Sequence, residues 1–338
     1  MKKTVAFSKN ALNVFFHILT GCNLSCTHCY INPAQHGTAP LALDTVISWL
    51  KLFADKSRHA NVIFLGGEPT LHPALSQSVK AARAMGYESI TIDTNGYLFH
   101  NILSKVAPGE VDFFSFSLDG ATRETNDRIR GRGSYDTCLK GIRNAGQKGF
   151  HTSLIYTVSR ENLHEIHRMP ELLAKLGLHR FFIQVIGIRG KSAAPESDRK
   201  CLQLLPEEWL GIIPEVADRV ARLGITVTYP KVFLRPEEPF ACAGIEAENY
   251  FLFPNGRVYR CPLCEDFPFH SHVIEKDRLV NTPKINEMDL FPLSIPEGCV
   301  MNKIIQPGNI EYTADGKPAY KIACCMLKEE IKSAAESS

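Results

Sequence analysis

The segment VFFHILTGCNLSCTHCY (residues 14–30) joins a short apolar run to three closely spaced cysteines. A run of aromatic and branched residues that short reads as a buried strand. The cysteines then lie on the loop that leaves it. Whether this strand opens a parallel sheet decides what the loop can do.

The same rhythm recurs downstream. NVIFLGG (61–67), SITIDTNG (89–96), VDFFSFSLDG (111–120), HTSLIYTVS (151–159), HRFFIQVIG (179–187) and GITVTYP (224–230) read as further strands. Amphipathic stretches alternate with them at 43–56, 74–86, 98–106, 134–149, 163–177 and 206–224. Several of these close on glycine, at Gly86, Gly149, Gly177 and Gly224. Strands joined by helices imply parallel neighbours, because parallel pairing needs a crossover. The expected fold is α/β, a partial (β/α)6 TIM-like barrel over residues 1–230. Polar and glycine residues collect after the strands, at GGEP, TNG, SLDG and GIRGKS. In a parallel barrel these ends share one face, and the first cysteine loop joins it.

Beyond about Pro230 the rhythm fails. FLFPNGRVYRC (251–261) reads as a hairpin around Asn255-Gly256. Residues 231–338 are expected to form a small cysteine-rich domain held partly by metal, with KSAAESS a frayed end.

Composition excludes several classes. The chain of 338 residues is 44% hydrophobic and 22% charged, with a formal charge of +2, which offers no basis for nucleic-acid or membrane binding. Asn10 and Asn13 interrupt the N-terminal apolar run, so it reads as strand and not signal peptide. No apolar stretch approaches the roughly 20 residues that span a bilayer. A cytoplasmic protein is expected. Its eleven cysteines form an odd set, and a reducing compartment disfavours disulfides. Cys138 and Cys201 stand apart from the others and read as small core residues.

Cys22, Cys26 and Cys29 have the spacing C-x3-C-x2-C. Three thiolates on one loop can hold an iron–sulfur cluster and leave one iron without a protein ligand. The alternative is zinc, with His28 or His36 as the fourth ligand.

CNLSCTHCY resembles the signature loop of the radical S-adenosylmethionine (radical SAM) enzymes, C-x3-C-x-aromatic-C, with His28 at the aromatic position. LGGEPTLHP (65–73), TNG (94–96) and FSLDGATRETNDRIRGRGSYD (116–136) resemble later motifs of that family, in the same order. The resemblance implies a [4Fe-4S] cluster on Cys22, Cys26 and Cys29, whose open iron chelates S-adenosylmethionine (SAM). It assigns SAM contacts to His28, Gly66, Gly67, Glu68, Pro69, Asn95, Ser117, Asp119 and Arg130. Glu68 and its neighbouring backbone would receive the amino group, and Arg130 the carboxylate. Alternatives stand beside these: Gly67 a turn glycine, Asp119 a helix cap, Arg130 a solvated residue in a basic run.

In CAGIEAENYFLFPNGRVYRC (242–261), thirteen residues separate Cys242 from Gly256 and four separate Gly256 from Cys261. This is similar to the opening of the SPASM and twitch auxiliary-cluster domains of radical SAM enzymes. It implies one auxiliary [4Fe-4S] cluster on Cys242 and Cys261, with two more ligands among Cys264, Cys299, Cys324 and Cys325. Structural zinc is the alternative.

The implied activity is reductive cleavage of SAM to a 5'-deoxyadenosyl radical that takes a hydrogen atom from a substrate, with flavodoxin or ferredoxin as reductant. A peptide or protein side chain is the leading substrate class, in a maturase-type modification by a radical SAM oxidoreductase. A small-molecule dehydrogenase or rearrangement enzyme is the second. The absence of a peptide-recognition segment before the first strand weighs against the first. The ending KSAAESS, without an arginine-bearing Gly-Gly tail, weighs against a molybdopterin-pathway cyclase. A non-catalytic iron–sulfur electron carrier would explain the cysteines but not GGEP and SLDG beside them. The sequence names no general base.

Overall fold

The computed structural model describes residues 11–193 and 202–332. Cys201 lies outside them, as do residues 333–338 of KSAAESS.

All the expected strands form: β1 Leu12–His17, β2 Ala60–Leu65, β3 Ser89–Thr94, β4 Phe113–Ser117, β5 Thr152–Val158, β6 Arg180–Val185 and β7 Thr226–Pro230. They pair in parallel in chain order. The sheet is open, and no closed barrel forms among the described residues.

Helices cover it as their periodicity requires. Leu43–Lys56 buries Val46, Trp49, Leu50 and Phe53, a single stripe at helical spacing, and Trp49 stacks on Phe16 of β1. Cys138 is buried in helix Ser134–Gln147, as expected of a core cysteine. Two expected helices are interrupted. Leu163–Arg168 is a 3-10 segment and the α-helix starts at Met169, with Pro170 in its first turn. Proline lacks an N–H and clashes with the carbonyl four residues back, so the helix restarts there. In 98–106 the run breaks into Phe99–Asn101 and Ile102–Lys105, with Leu98, His100 and Asn101 at positive φ.

The C-terminal residues extend this sheet at both sides. Strand Glu248–Leu252 pairs in parallel with β1, and the expected hairpin carries the chain to Arg257–Tyr259, then to His272–Glu275 and Arg278–Asn281. At the opposite edge Lys328–Ile331 runs antiparallel to β7. A buried amide ladder fixes the first of these junctions. Asn61 Nδ2 donates to Asn13 Oδ1 (3.0 Å), and Asn13 Nδ2 donates to Asn249 Oδ1 (2.9 Å), crossing three strands. A one-residue slip would separate these amides and leave buried polar groups unpaired.

Replacing Asn13 with Ala removes the acceptor of Asn61 Nδ2 and the donor to Asn249 Oδ1 at once. The expected loss is about 1–3 kcal/mol per unsatisfied group, read from urea unfolding of the metal-free protein. Unchanged stability would show that the ladder does not set the register.

Candidate functional site

The loops after β1, β2, β3, β4 and β6 converge on one cleft of about 290 Å³. Its walls include Cys22, Cys26, His28, Cys29, Gly66, Gly67, Glu68, Asn95, Ser117 and Arg130. Pro69 and Asp119 lie behind this wall, both buried. The sequence-derived residues of the first site are therefore brought together.

Backbone approach explains the glycine pair. A Cβ on Gly67 would strike the carbonyls of Gly21 and Thr20, the latter at 2.5 Å, and one on Gly66 would meet Leu19 O at 2.6 Å. Gly67 N donates to Leu19 O (3.2 Å) and Glu68 N to Gly21 O (3.0 Å). The cysteine loop is thus laid directly on the GGEP turn, which only residues without a side chain allow.

Glu68 is fully buried. Oε1 accepts from Thr70 N (3.0 Å), Thr70 Oγ1 (2.5 Å) and Thr94 Oγ1 (2.8 Å), while Oε2 accepts from Asn95 N (2.7 Å). Burial raises its pKa, against the pull of these donors. Its first task is to clamp the β2 end to the β3 end. Asn95 Nδ2 donates to Asn23 Oδ1 (2.8 Å) and lies 3.8 Å from Cys22 Sγ, so TNG braces the cysteine loop.

Asp119 is not a helix cap. The cap of helix Arg123–Arg130 is Thr122, whose side chain accepts from Thr125 N. Asp119 instead pairs with Arg130 Nε (2.5 Å) and His28 Nε2 (3.2 Å), and Oδ1 accepts from Thr157 N (2.8 Å). Burial alone would push its carboxyl up; Arg130 and His28 outweigh burial and hold it at about 2. Nor is Arg130 solvated, being 9% exposed. His36 donates through Nε2 to Glu265 O (2.9 Å) and accepts at Nδ1 from Asn32 N (3.0 Å), so both ring nitrogens are engaged within the chain.

The thiols suit a cluster better than free thiolates. Burial pushes Cys22 up to about 11, with Glu68, Cys26 and Cys29 adding to it. Ionising these neighbouring thiols together needs a compensating positive charge, which a bound iron–sulfur cluster supplies.

A second, smaller cavity is lined by Cys242, Cys261, Cys299, Cys324 and Cys325. Burial raises Cys242 to about 12, with the Cys324 and Cys261 charges next. Cys299 Sγ accepts from Asn302 N (3.4 Å) at the start of helix Val300–Ile305. Cys264 is buried against Cys261 but off the cavity wall. Cys325 borders both cavities. Among the described residues no three His, Cys, Asp or Glu side chains are grouped to hold a single metal ion.

Cleft residues that sequence reasoning does not single out include an acid from the middle of the sheet. Asp93, an acid inside the apolar strand β3, faces the cleft together with Lys328 of the C-terminal strand. Burial lifts its pKa to about 7, against Ser115 and Lys328. The signal was present in SITIDT, where the acid interrupts an otherwise apolar and hydroxylic run. No helix among the described residues is long and apolar enough to cross a membrane.

Asp119 gives a signed acid response. Its folded pKa of about 2 lies below the ordinary carboxylate value of ~3.9, so its stabilisation is complete above that value and is lost as pH falls through about 2. Asp119→Asn should lower stability at pH 7 and flatten the acid-unfolding slope between about pH 4 and 2. An unchanged slope would assign acid sensitivity elsewhere.

Comparison with known proteins agrees with this geometry. Residues 16–173 match the Radical SAM superfamily. A probable GTP 3',8-cyclase of Saccharolobus solfataricus is 29% identical over 181 residues, 52% of this chain and 58% of that protein. An Fe-coproporphyrin III synthase of Methanosarcina barkeri is 29% identical over 191 residues, 54% of this chain and 46% of that protein. The chain therefore spans about half the length of these curated relatives. Streptococcus suis SuiB bound to S-adenosylmethionine shares the fold at TM-score 0.61 and 14% identity, over 88% of this chain and 67% of that one. Native anSMEcpe with bound AdoMet shares it at TM-score 0.59 and 13% identity, over 87% and 82%. The residues that match the Radical SAM superfamily span the cysteine loop, GGEP, TNG and SLDG.

Proposed function

We propose that the cleft binds a [4Fe-4S] cluster through Cys22, Cys26 and Cys29, with SAM beside it, and acts on a peptide or protein side chain. The observation that carries this reading is the convergence of those three thiols with GGEP, Asn95, Ser117 and Arg130 on a single cleft. Bound there, the cluster and SAM would supply the 5'-deoxyadenosyl radical that removes a hydrogen atom from the substrate.

The chain's own residues then have separable tasks. Gly66 and Gly67 admit the cysteine loop, Glu68 fixes the turn, and the Arg130–Asp119–His28 set stiffens the loop from the β4 side. Arg130 also faces the cleft, where its guanidinium suits the SAM carboxylate. Asp93, poised near neutrality, can exchange a proton with a bound group.

Residues 231–338 act as the auxiliary unit, with Cys242, Cys261, Cys299 and Cys324 as the ligands of a second [4Fe-4S] cluster. These four surround one cavity. A flavodoxin or ferredoxin serves as reductant, in the cytoplasm. The peptide reading draws on SuiB, which has the same fold and is seen bound to its precursor peptide SuiA. Small-molecule chemistry is the second reading, favoured by the 29% identity to the cyclase and the synthase.

Anaerobic reconstitution should give about eight irons per chain, and dithionite with SAM should release 5'-deoxyadenosine. Substituting Cys22, Cys26 and Cys29 together by Ala should leave about four irons and abolish that release. Absence of 5'-deoxyadenosine from fully loaded protein would restore the electron-carrier reading. About four irons with stoichiometric zinc would remove the second cluster.

A further inference from the structure

The GIRGKS segment after β6 has no part in the functions above, yet it touches both cysteine regions. Arg189 Nη1 donates to Pro262 O (2.6 Å) and pairs with the Glu265 carboxylate, and its guanidinium lies 4.6 Å from the Tyr30 ring centroid. Gly190 N donates to Asp266 Oδ2 (2.5 Å). Lys191 N donates to Cys29 O (2.8 Å), and its Nζ donates to Ser25 Oγ (2.6 Å). Three consecutive residues therefore hold Ser25, Cys29 and Tyr30 on one side and Pro262, Glu265 and Asp266 on the other. Gly190 has φ +57, and a Cβ there would collide with the Cys29 carbonyl, so the approach is as close as backbone permits.

Arg189 is also placed to act through its charge. It and Cys325 line the same cleft, and Cys325 borders the C-terminal thiol cavity too. A guanidinium at this junction, its side chain 23% exposed, meets the two cysteine regions. Cluster reduction adds negative charge, and a nearby fixed cation makes that addition easier.

We propose that Arg189 is a positioning residue that locks the first cysteine loop to the Pro262–Asp266 loop, and that its charge raises the reduction potential of the C-terminal cluster. This rests on the two-cluster reading above. Glu265, its ion-pair partner, opposes the effect, so the two residues tune the potential in opposite directions.

The test is an EPR-monitored redox titration of reconstituted protein, after iron counting. Arg189→Gln should move the C-terminal cluster to a more negative midpoint, Arg189→Lys should recover at least half of that shift, and Glu265→Gln should move it the other way. A purely structural role would shift Arg189→Gln and Glu265→Gln in the same direction or neither, and either result overturns the proposal. Should Arg189→Gln fail to load while Arg189→Lys loads, the requirement for charge is supported, and the sign of the Glu265→Gln shift decides the rest. Failure of all three variants to load would leave a purely structural role and overturn the electrostatic claim. Wild-type protein with about four irons would defeat the two-cluster reading itself, and this inference with it.

Discussion

The closest constraint in the molecule is the contact between two stretches of backbone. Leu19, Thr20 and Gly21 rest on Gly66 and Gly67 with no room for a side chain, and two backbone hydrogen bonds seal the contact. Because β1 and β2 are parallel neighbours, their C-terminal ends leave the sheet side by side, so the loops that follow must share a small volume. Glycine allows the sharing. The cysteines are thereby held at the mouth of the sheet, and the Glu68 carboxylate, tied to Thr94 and Asn95, carries that rigidity across to β3.

Electrostatics completes the cradle from the other side. Burying Asp119 in full would favour its neutral form, but Arg130 and His28 reverse the preference. Removing either partner of such a pair is expensive, since the survivor keeps its desolvation cost. His28 is therefore bound to the β4 loop by the same set that orders Arg130. The position where the family pattern has an aromatic is filled here by a side chain that also carries a polar anchor.

Much of this was legible in the sequence, for reasons that are local. Each parallel strand announced itself by a short apolar run ending in glycine or polar residues, and the cysteine spacing, GGEP and TNG lie within a few residues of those ends. The Asn255-Gly256 turn was equally readable, because hairpin turns have strict residue demands. What escaped was set by partners far along the chain. The pairing of Glu248–Leu252 with β1 spans more than two hundred positions, and no period in either segment encodes it. Asp119 is ambiguous in the sequence, since a cap and a buried ion-pair partner look alike until Arg130 folds back. Asp93 carries no signal of its titration, because its environment, and not its identity, raises its pKa.

The C-terminal residues bear most directly on how the cleft works. Phe251, Pro262 and Glu265 reach it from the β1 side, and Cys325, Met326 and Lys328 from the β7 side. The parallel strands alone would leave the sheet mouth open at both edges; the added strands close on it from two directions. A division of the chain near residue 230 therefore separates sequence patterns without dividing the site. Walls drawn from both parts enclose the cleft, and Asp93 and Lys328, one residue from each, line that shared space together. An amino, hydroxyl or carboxylate group would be better matched there than a wholly apolar one, because burying those polar groups against hydrocarbon would forfeit their solvation without return.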